Sequence, residues 1–368
     1  MKQWQETCDI LARLAELTDS GQEAAVACVV DISGSAYRRP GARFLIAADG
    51  STLGGISGGC LEEDVRQNGL RALDDGNCRL LHYETGDDDD PLWGLGLGCN
   101  GAVDVLVVPS SRAGFVAAAH RSRGLLAGDH AFAVVTIVDN PQGGDTTLEG
   151  RVLLPGTDLQ PPPTSGDAAR DAALAAAAAE VLSGGRSKLV EAGGVRAFID
   201  AFVPPPALVV CGAGDDARPL VSYAAQVGFR VAVVDHRPAH LTHQRFPDAW
   251  RLIEALPEDE AVGLPTGPES YVVLKTHNVV RDKAWARRLA DHSPAYLGLL
   301  GPRARCEEIA AETGDALREE RIFGPVGLDV GAEGPEQVGL CIVAELLAVR
   351  AGRAPQHLRD RKEAIHVG

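Results

Sequence analysis

Residues 207–237 read ALVVCGAGDDARPLVSYAAQVGFRVAVVDHR. An apolar run, a glycine turn, a helix-patterned segment and a second apolar run ending in Asp235 follow in that order. The runs are short, β-branched and bounded by turn residues, so they predict buried strands. The pattern continues with strand-like 270–277, helix 281–291, strand-like 295–300 and helix 303–312. Residues 251–256 hold a further short strand, and a last helix spans 335–350. Strands alternating with helices predict a parallel, doubly wound sheet.

Within that frame Gly212-Ala213-Gly214-Asp215-Asp216-Ala217 fits GxGxxA between a strand and a helix. This is the Rossmann-like arrangement. Gly212 permits the tight turn, and Gly214 lets a pyrophosphate approach unpaired N–H groups at the helix start. NAD(P) is thus a candidate cofactor, and Asp235 stands where an acidic residue bonds a ribose 2′-hydroxyl and so prefers NAD over NADP. Asp215 and Asp216 oppose it, because carboxylates beside the loop repel pyrophosphate. His277, at the end of strand 270–277, is a candidate ligand-orienting residue or proton shuttle. The alternative is a histidine capping the next turn.

Working outward, Pro161-Pro162-Pro163 reads as a linker. An alanine-rich helix at 167–182 and strand-like 188–191 and 195–203 follow it, before Pro204-Pro205-Pro206. The expected organisation is an N-terminal domain at 1–160, a linker and connecting segment at 161–206, a Rossmann-like domain at 207–352 and a tail at 353–368. Closely spaced strands at 24–33, 42–48, 78–84, 102–108 and 131–138 predict a mixed α/β N-terminal domain. The chain opens with an amphipathic helix, with Ile10, Leu11, Leu14 and Leu17 at helical spacing.

The 368 residues carry 35 basic and 51 acidic side chains, a formal charge of −16. That balance argues against nucleic acid and against an anionic membrane surface as partners. No signal peptide or membrane span is read, so a cytoplasmic location is expected. Eight cysteines without a CxxC pair argue against a zinc ribbon, and no metal ligand set is assigned.

Two cysteines lie among glycines. Leu53-Gly54-Gly55-Ile56-Ser57-Gly58-Gly59-Cys60-Leu61-Glu62 precedes a helix expected at 61–73, which would favour thiolate at Cys60. Trp93-Gly94-Leu95-Gly96-Leu97-Gly98-Cys99-Asn100-Gly101 precedes a strand. Two such loops suggest that Cys60 and Cys99 converge on one ligand, approached across Gly58, Gly59 and Gly98. The alternative is a pair of small buried residues at tight turns. Arg38, Arg39 and Arg43 cluster in an acidic chain and suit a phosphate or planar anion. Their alternative is a solvated turn with surface ion pairs.

These residues carry a resemblance. Gly34-Ser35, Pro40-Gly41-Ala42, Ser57-Gly58-Gly59-Cys60-Leu61-Glu62 and Gly96-Leu97-Gly98-Cys99 resemble the N-terminal motifs of the XdhC/CoxI family, the xanthine dehydrogenase accessory proteins. The similarity runs on through Gly212-Ala213-Gly214, Val233-Val234-Asp235, Thr276-His277 and residues 296–301 to residues 325–332 and Pro335-Glu336. It implies a chaperone that binds molybdenum cofactor (molybdopterin) transiently. It also implies help with sulfuration by a cysteine desulfurase and delivery to a xanthine dehydrogenase-type apoenzyme. Turnover is not required by this role, and a homodimer is one option for its assembly. Asp215-Asp216 departs from the histidine-containing turn more frequent in the family. The competing reading is an NAD(P)-dependent oxidoreductase with a substrate site between two domains, for which His277 is the available proton donor.

Overall fold

The computed structural model describes residues 2–34, 38–85, 101–128, 130–139, 151–156 and 167–362. The chain divides into two units, Gln3–Pro204 and Pro205 onward.

The N-terminal unit opens with helix α1 (Lys2–Asp19) and holds two antiparallel sheets. The first has the order β3-β2-β1-β5-β4, from β1 (Ala24–Gly34), β2 (Arg43–Ala47), β3 (Thr52–Gly54), β4 (Arg79–Thr85) and β5 (Gly101–Pro109). Its side chains alternate as a two-residue period requires. Ala25, Ala27, Val29, Phe44, Ile46, Val105 and Val107 face helix α2 (Glu62–Asp75), whose Val65 and Ala72 close that core. Val26 and Leu45 face α1 through Ile10, Leu14 and Leu17.

The second sheet has the order β7-β6-β9-β8, from β6 (Phe132–Asp139), β7 (Arg151–Leu153), β8 (Lys188–Ala192) and β9 (Val195–Phe202). Val30, Leu106 and Val108 of the first sheet meet Phe198 of the second. Helix α3 (Ala113–Ala127) joins α1 beside this contact through Ala119 and Leu126. Helix α4 (Ala168–Gly184) covers the far face of the second sheet with Leu174, Ala178 and Val181. Its start is capped by the Asp167 carboxylate, which accepts from Arg170 N.

Residues 161–206 thus supply α4, β8 and β9 to the N-terminal unit, and the division falls between Pro204 and Pro205. Helix α3 lies in a stretch with no helical stripe to read, where alanine, glycine and apolar residues surround the axis.

The C-terminal unit is a parallel sheet, β12-β11-β10-β13-β14-β15. Its strands are β10 (Ala207–Cys211), β11 (Arg230–Asp235), β12 (Arg251–Glu254), β13 (Tyr271–Leu274), β14 (Tyr296–Leu299) and β15 (Ile322–Phe323). In chain order this is 3-2-1-4-5-6, so the strand order reverses between β10 and β13. Every strand pair is parallel.

Both faces are covered. Helices α5 (Arg218–Gln226) and α8 (Gly334–Arg350) pack Leu220, Val221, Ile342 and Leu346 onto Leu208, Val210 and Val233. Helices α6 (Val279–Ala290) and α7 (Arg303–Ala310) pack Trp285, Leu289, Cys306 and Ile309 onto Val209, Cys211, Val272 and Leu297. The fold class is therefore a mixed α/β N-terminal unit with a Rossmann-like C-terminal unit, as the sequence indicates. No described helix is long and apolar enough to cross a membrane.

Candidate functional site

Three of the singled-out stretches leave the first sheet toward the same end. Strand β1 runs to Gly34, and β2 starts back at Arg43 opposite Cys28. Strand β3 runs antiparallel to β2 and ends at Gly54, beside Phe44. Strand β4 ends at Thr85 and β5 begins at Gly101, and those two residues pair, with Gly34 across from Gly101. Cys99 and Gly98, and the loop that carries them, lie outside the described residues.

Gly54 is where the arginine segment and the first glycine loop touch. A Cβ there would lie 2.5 Å from Arg43 O and 2.6 Å from the Ile10 side chain, and its φ is +89°. Only glycine fits. Gly55 N then donates to Arg43 O at 2.9 Å.

The loop is closed by its own side chains. The Glu62 carboxylate accepts from Ile56 N at 3.1 Å, Ser57 N at 2.8 Å and the Ser57 hydroxyl. Ser57 Oγ accepts in turn from Gly59 N at 3.1 Å and Leu61 N at 3.2 Å. Partial burial acts to raise the Glu62 pKa, but the Ser57 hydrogen bonds outweigh it and hold it below the usual range. Gly58 and Gly59 are exposed, and Cys60 is half-buried against the α2 core.

Helix α2 begins at Glu62, so Cys60 lies ahead of its N-cap, Leu61. The first turn also carries Glu62, Glu63 and Asp64. An anion arriving at this helix start meets three carboxylates as well as the positive dipole end.

The arginines do not form one open cluster. Arg38 pairs with Glu6 of α1 at 2.7 Å. Arg43 is buried and pairs with Asp200 of β9, while donating to Gly41 O at 2.9 Å and Thr7 Oγ1 at 3.2 Å. Its guanidinium also lies 5.0 Å from the Phe202 ring centroid. Burial acts to lower the Arg43 pKa; Asp200 more than offsets it and leaves the value raised. Arg39 alone of the three stands exposed. Two of the three clustered arginines are thus paired with Glu6 and Asp200 within the fold.

Arg43 and Asp200 border a cavity of about 70 Å³ between the two sheets, with Cys28 in its wall. Burial pushes the Cys28 thiol up to about 12 despite Arg43, so it is protonated and inert at neutral pH.

In the C-terminal unit Gly212 has φ +121°, and a Cβ there would lie 2.5 Å from Lys275 O. The close approach of β10 to β13 therefore requires glycine. Gly214 is different. A Cβ on it would lie 2.4 Å from Asp216 Oδ1, so the Asp216 side chain folds back over the residue that should admit a pyrophosphate. Asp216 Oδ2 is 2.9 Å from Lys275 Nζ and 2.8 Å from His277 Nε2. Lys275 is 3% exposed, and burial, partly offset by Asp216, lowers its pKa. His277 has φ +58°, rare for a residue with a Cβ.

Asp235 is equally committed. Its carboxylate accepts from Ala213 N at 2.7 Å, Arg237 N at 3.0 Å and the Arg237 guanidinium at 2.9 Å through both Nε and Nη2. Burial acts to raise its pKa, but the Arg237 fork and the amides hold it well below the carboxylate range. A ribose hydroxyl would have to displace Arg237. The residues do not fit a dinucleotide: the pyrophosphate seat is covered by Asp216 and the ribose acid is saturated.

Lys275, Asp200 and Arg237 carry these arrangements without having been singled out from sequence, whereas Asp216 was read there as a charge opposing pyrophosphate. Lys275 leaves a trace, as a charged residue directly after the fully buried Tyr271–Leu274 strand. Asp200 leaves a similar one, as an acid in the largely buried strand β9.

Two family models match the chain. Residues 208–346 match the XdhC Rossmann domain, and residues 17–84 match the XdhC and CoxI family. A Bacillus subtilis (strain 168) protein described as a probable subunit of xanthine dehydrogenase is 31% identical, across 92% of this chain and 96% of its own. The molybdenum cofactor insertion chaperone PaoD of Escherichia coli (strain K12) is 24% identical, across 93% of this chain and 88% of its own. A crystal structure described as a xanthine dehydrogenase of Bacillus halodurans superposes with a TM-score of 0.75 at 27% identity, covering 94% of this chain and 96% of that one.

Proposed function

The chain belongs to the XdhC and CoxI family, and from that premise we propose that it is a molybdenum cofactor chaperone whose N-terminal unit holds the cofactor. In this reading it assists sulfuration by a cysteine desulfurase and inserts the cofactor into a xanthine dehydrogenase-type apoenzyme. The observation that carries the reading is the strand direction. The Gly34–Arg43 segment, the Gly54–Cys60 loop and the strand ends flanking Cys99 all leave one sheet toward one end.

The cofactor supplies a phosphate, a planar pterin and a dithiolene-bound metal. Arg39 is the arginine left to meet the phosphate. Gly58 and Gly59, and Gly98 from the second loop, let the pterin approach backbone. Cys60 and Cys99 offer thiols to the metal end. The Ser57–Glu62 clamp presets the first loop, so less ordering entropy is lost on binding. The role needs binding and release rather than turnover. The oxidoreductase alternative has no dinucleotide geometry to support it.

The test is purification from cells that make the cofactor, with assays for oxidised pterin fluorescence and for molybdenum. Both should accompany the wild type. Cys60→Ala and Cys99→Ala should each lower retention, and Arg39→Ala by about tenfold, the equivalent of one lost charge-assisted hydrogen bond. Unchanged retention in both cysteine variants, or nicotinamide-linked reduction of a carbonyl without bound pterin, would overturn the proposal.

A further inference from the structure

The crevice at the carboxyl ends of β10 and β13 is where an open parallel sheet of this order receives ligands. Here two basic side chains, through Lys275 Nζ and His277 Nε2, converge on a single oxygen, Asp216 Oδ2. The lysine is buried, and the histidine is held in a left-handed backbone conformation. Strain of that kind persists only where surroundings over-determine it, and it concentrates at ligand sites. The adjoining carboxylate repeats the pattern. Asp215 Oδ1 lies 3.1 Å from Arg245 Nη2 and 3.9 Å from Arg218 Nη1. Arg245 also donates to Ala213 O at 3.1 Å, and its buried Nε has no hydrogen-bond partner among the described residues.

Lys275, Arg245 and Arg218 thus meet carboxylates supplied by the turn itself, with His277 beside them. Asp216 is 31% exposed and sits in a short 3-10 turn, Asp215–Ala217. It can turn toward water, whereas Lys275 cannot, so a ligand anion must take over the charge that Asp216 would leave unpaired.

From this geometry we infer that Asp216 is a displaceable internal stand-in for a ligand oxyanion, and that the crevice binds a phosphate monoester and not a dinucleotide. A monoester offers a terminal dianionic group small enough to replace one carboxylate between Lys275 and His277. A dinucleotide needs its ribose on Asp235 as well, and that carboxylate stays held by Ala213 N and the Arg237 fork when Asp216 moves aside. Binding therefore competes with Asp216, and wild-type affinity is lowered by whatever the internal pair is worth. The residues of this site belong to the C-terminal unit and those of the Cys60 loop to the N-terminal unit, and phosphate binding here is tested without the cofactor.

The experiment is calorimetry on the full chain with inorganic phosphate, AMP and NAD, on wild type, Asp216→Asn and Asp216→Asn/Lys275→Met. Asp216→Asn keeps the side-chain size and removes the competing charge. It should bind phosphate and AMP at least tenfold more tightly than wild type, and the double variant should lose that gain. NAD should give no heat with any of the three. Should Asp216→Asn fail to fold, the wild-type His277 imidazole resonances should shift on titration with millimolar phosphate. Equal phosphate affinity in wild type and Asp216→Asn, retention of the gain without Lys275, stationary His277 resonances, or heat with NAD on wild type would each overturn the inference.

Discussion

At the scale of the residue, acids in this protein are spent on internal partners. Asp235 shows it most clearly. A GxGxxA turn and an acid ending the next strand predict a ribose contact, yet the side chain is 4% exposed and bound to an amide and to an arginine fork. Its pKa lies below that of the unfolded chain, so its stabilisation is complete above the unfolded carboxylate pKa of about 3.9 and is lost as pH falls through the folded value. Asp235→Asn should therefore cost about 1–3 kcal/mol at neutral pH, the worth of a hydrogen-bonded charge. The gap from wild type should narrow in acid. Urea midpoints at neutral pH and near pH 3 (roughly one unit below that pKa) measure this; a gap independent of pH would contradict it.

At the scale of elements, the two sheets of the N-terminal unit are joined by apolar contacts and by the largely buried Arg43–Asp200 ion pair. Arg43 at the start of β2 reaches Asp200 in β9, and Ser187 also donates to Asp200 at 2.6 Å. Removing one member leaves a buried charge, which costs about 3–5 kcal/mol. Arg43→Met is expected to destabilise by that order, and Arg43→Met/Asp200→Leu to recover a substantial part. Denaturant unfolding of the two singles and the double gives the coupling. A double variant no better than Arg43→Met would place the loss in the Phe202 contact or the Gly41 hydrogen bond instead. Legibility differed by element. Strands β1, β2, β4 and β5 of the first sheet were readable as closely spaced apolar runs. Strand β3, strand β15 and helix α3 were not, being too short or too uniformly apolar to carry a period.

At the scale of the whole molecule, each unit has its own core. The parallel sheet is covered on both faces by helices of its own segment. A fragment beginning at Pro205 should therefore fold alone, with mixed α/β circular dichroism and a single cooperative melt. A non-cooperative melt, or a disordered spectrum, would mean that the sheet needs the N-terminal unit.

What the sequence determined by itself was local and periodic. It carried the strand–helix alternation, the glycine turns at Gly54 and Gly212, and the ordered motifs that mark the family. What only tertiary structure decided was which charges meet. Asp216 and His277 are 61 residues apart in the chain, and Arg43 and Asp200 are 157 apart. Propensity and hydrophobic period act over a few residues and fix where a strand lies. An ion pair depends on distance in space and on desolvation, which exist only once the sheets have packed. For that reason two of the three clustered arginines proved to be paired within the fold, and a turn legible as a pyrophosphate seat proved to hold its own carboxylate.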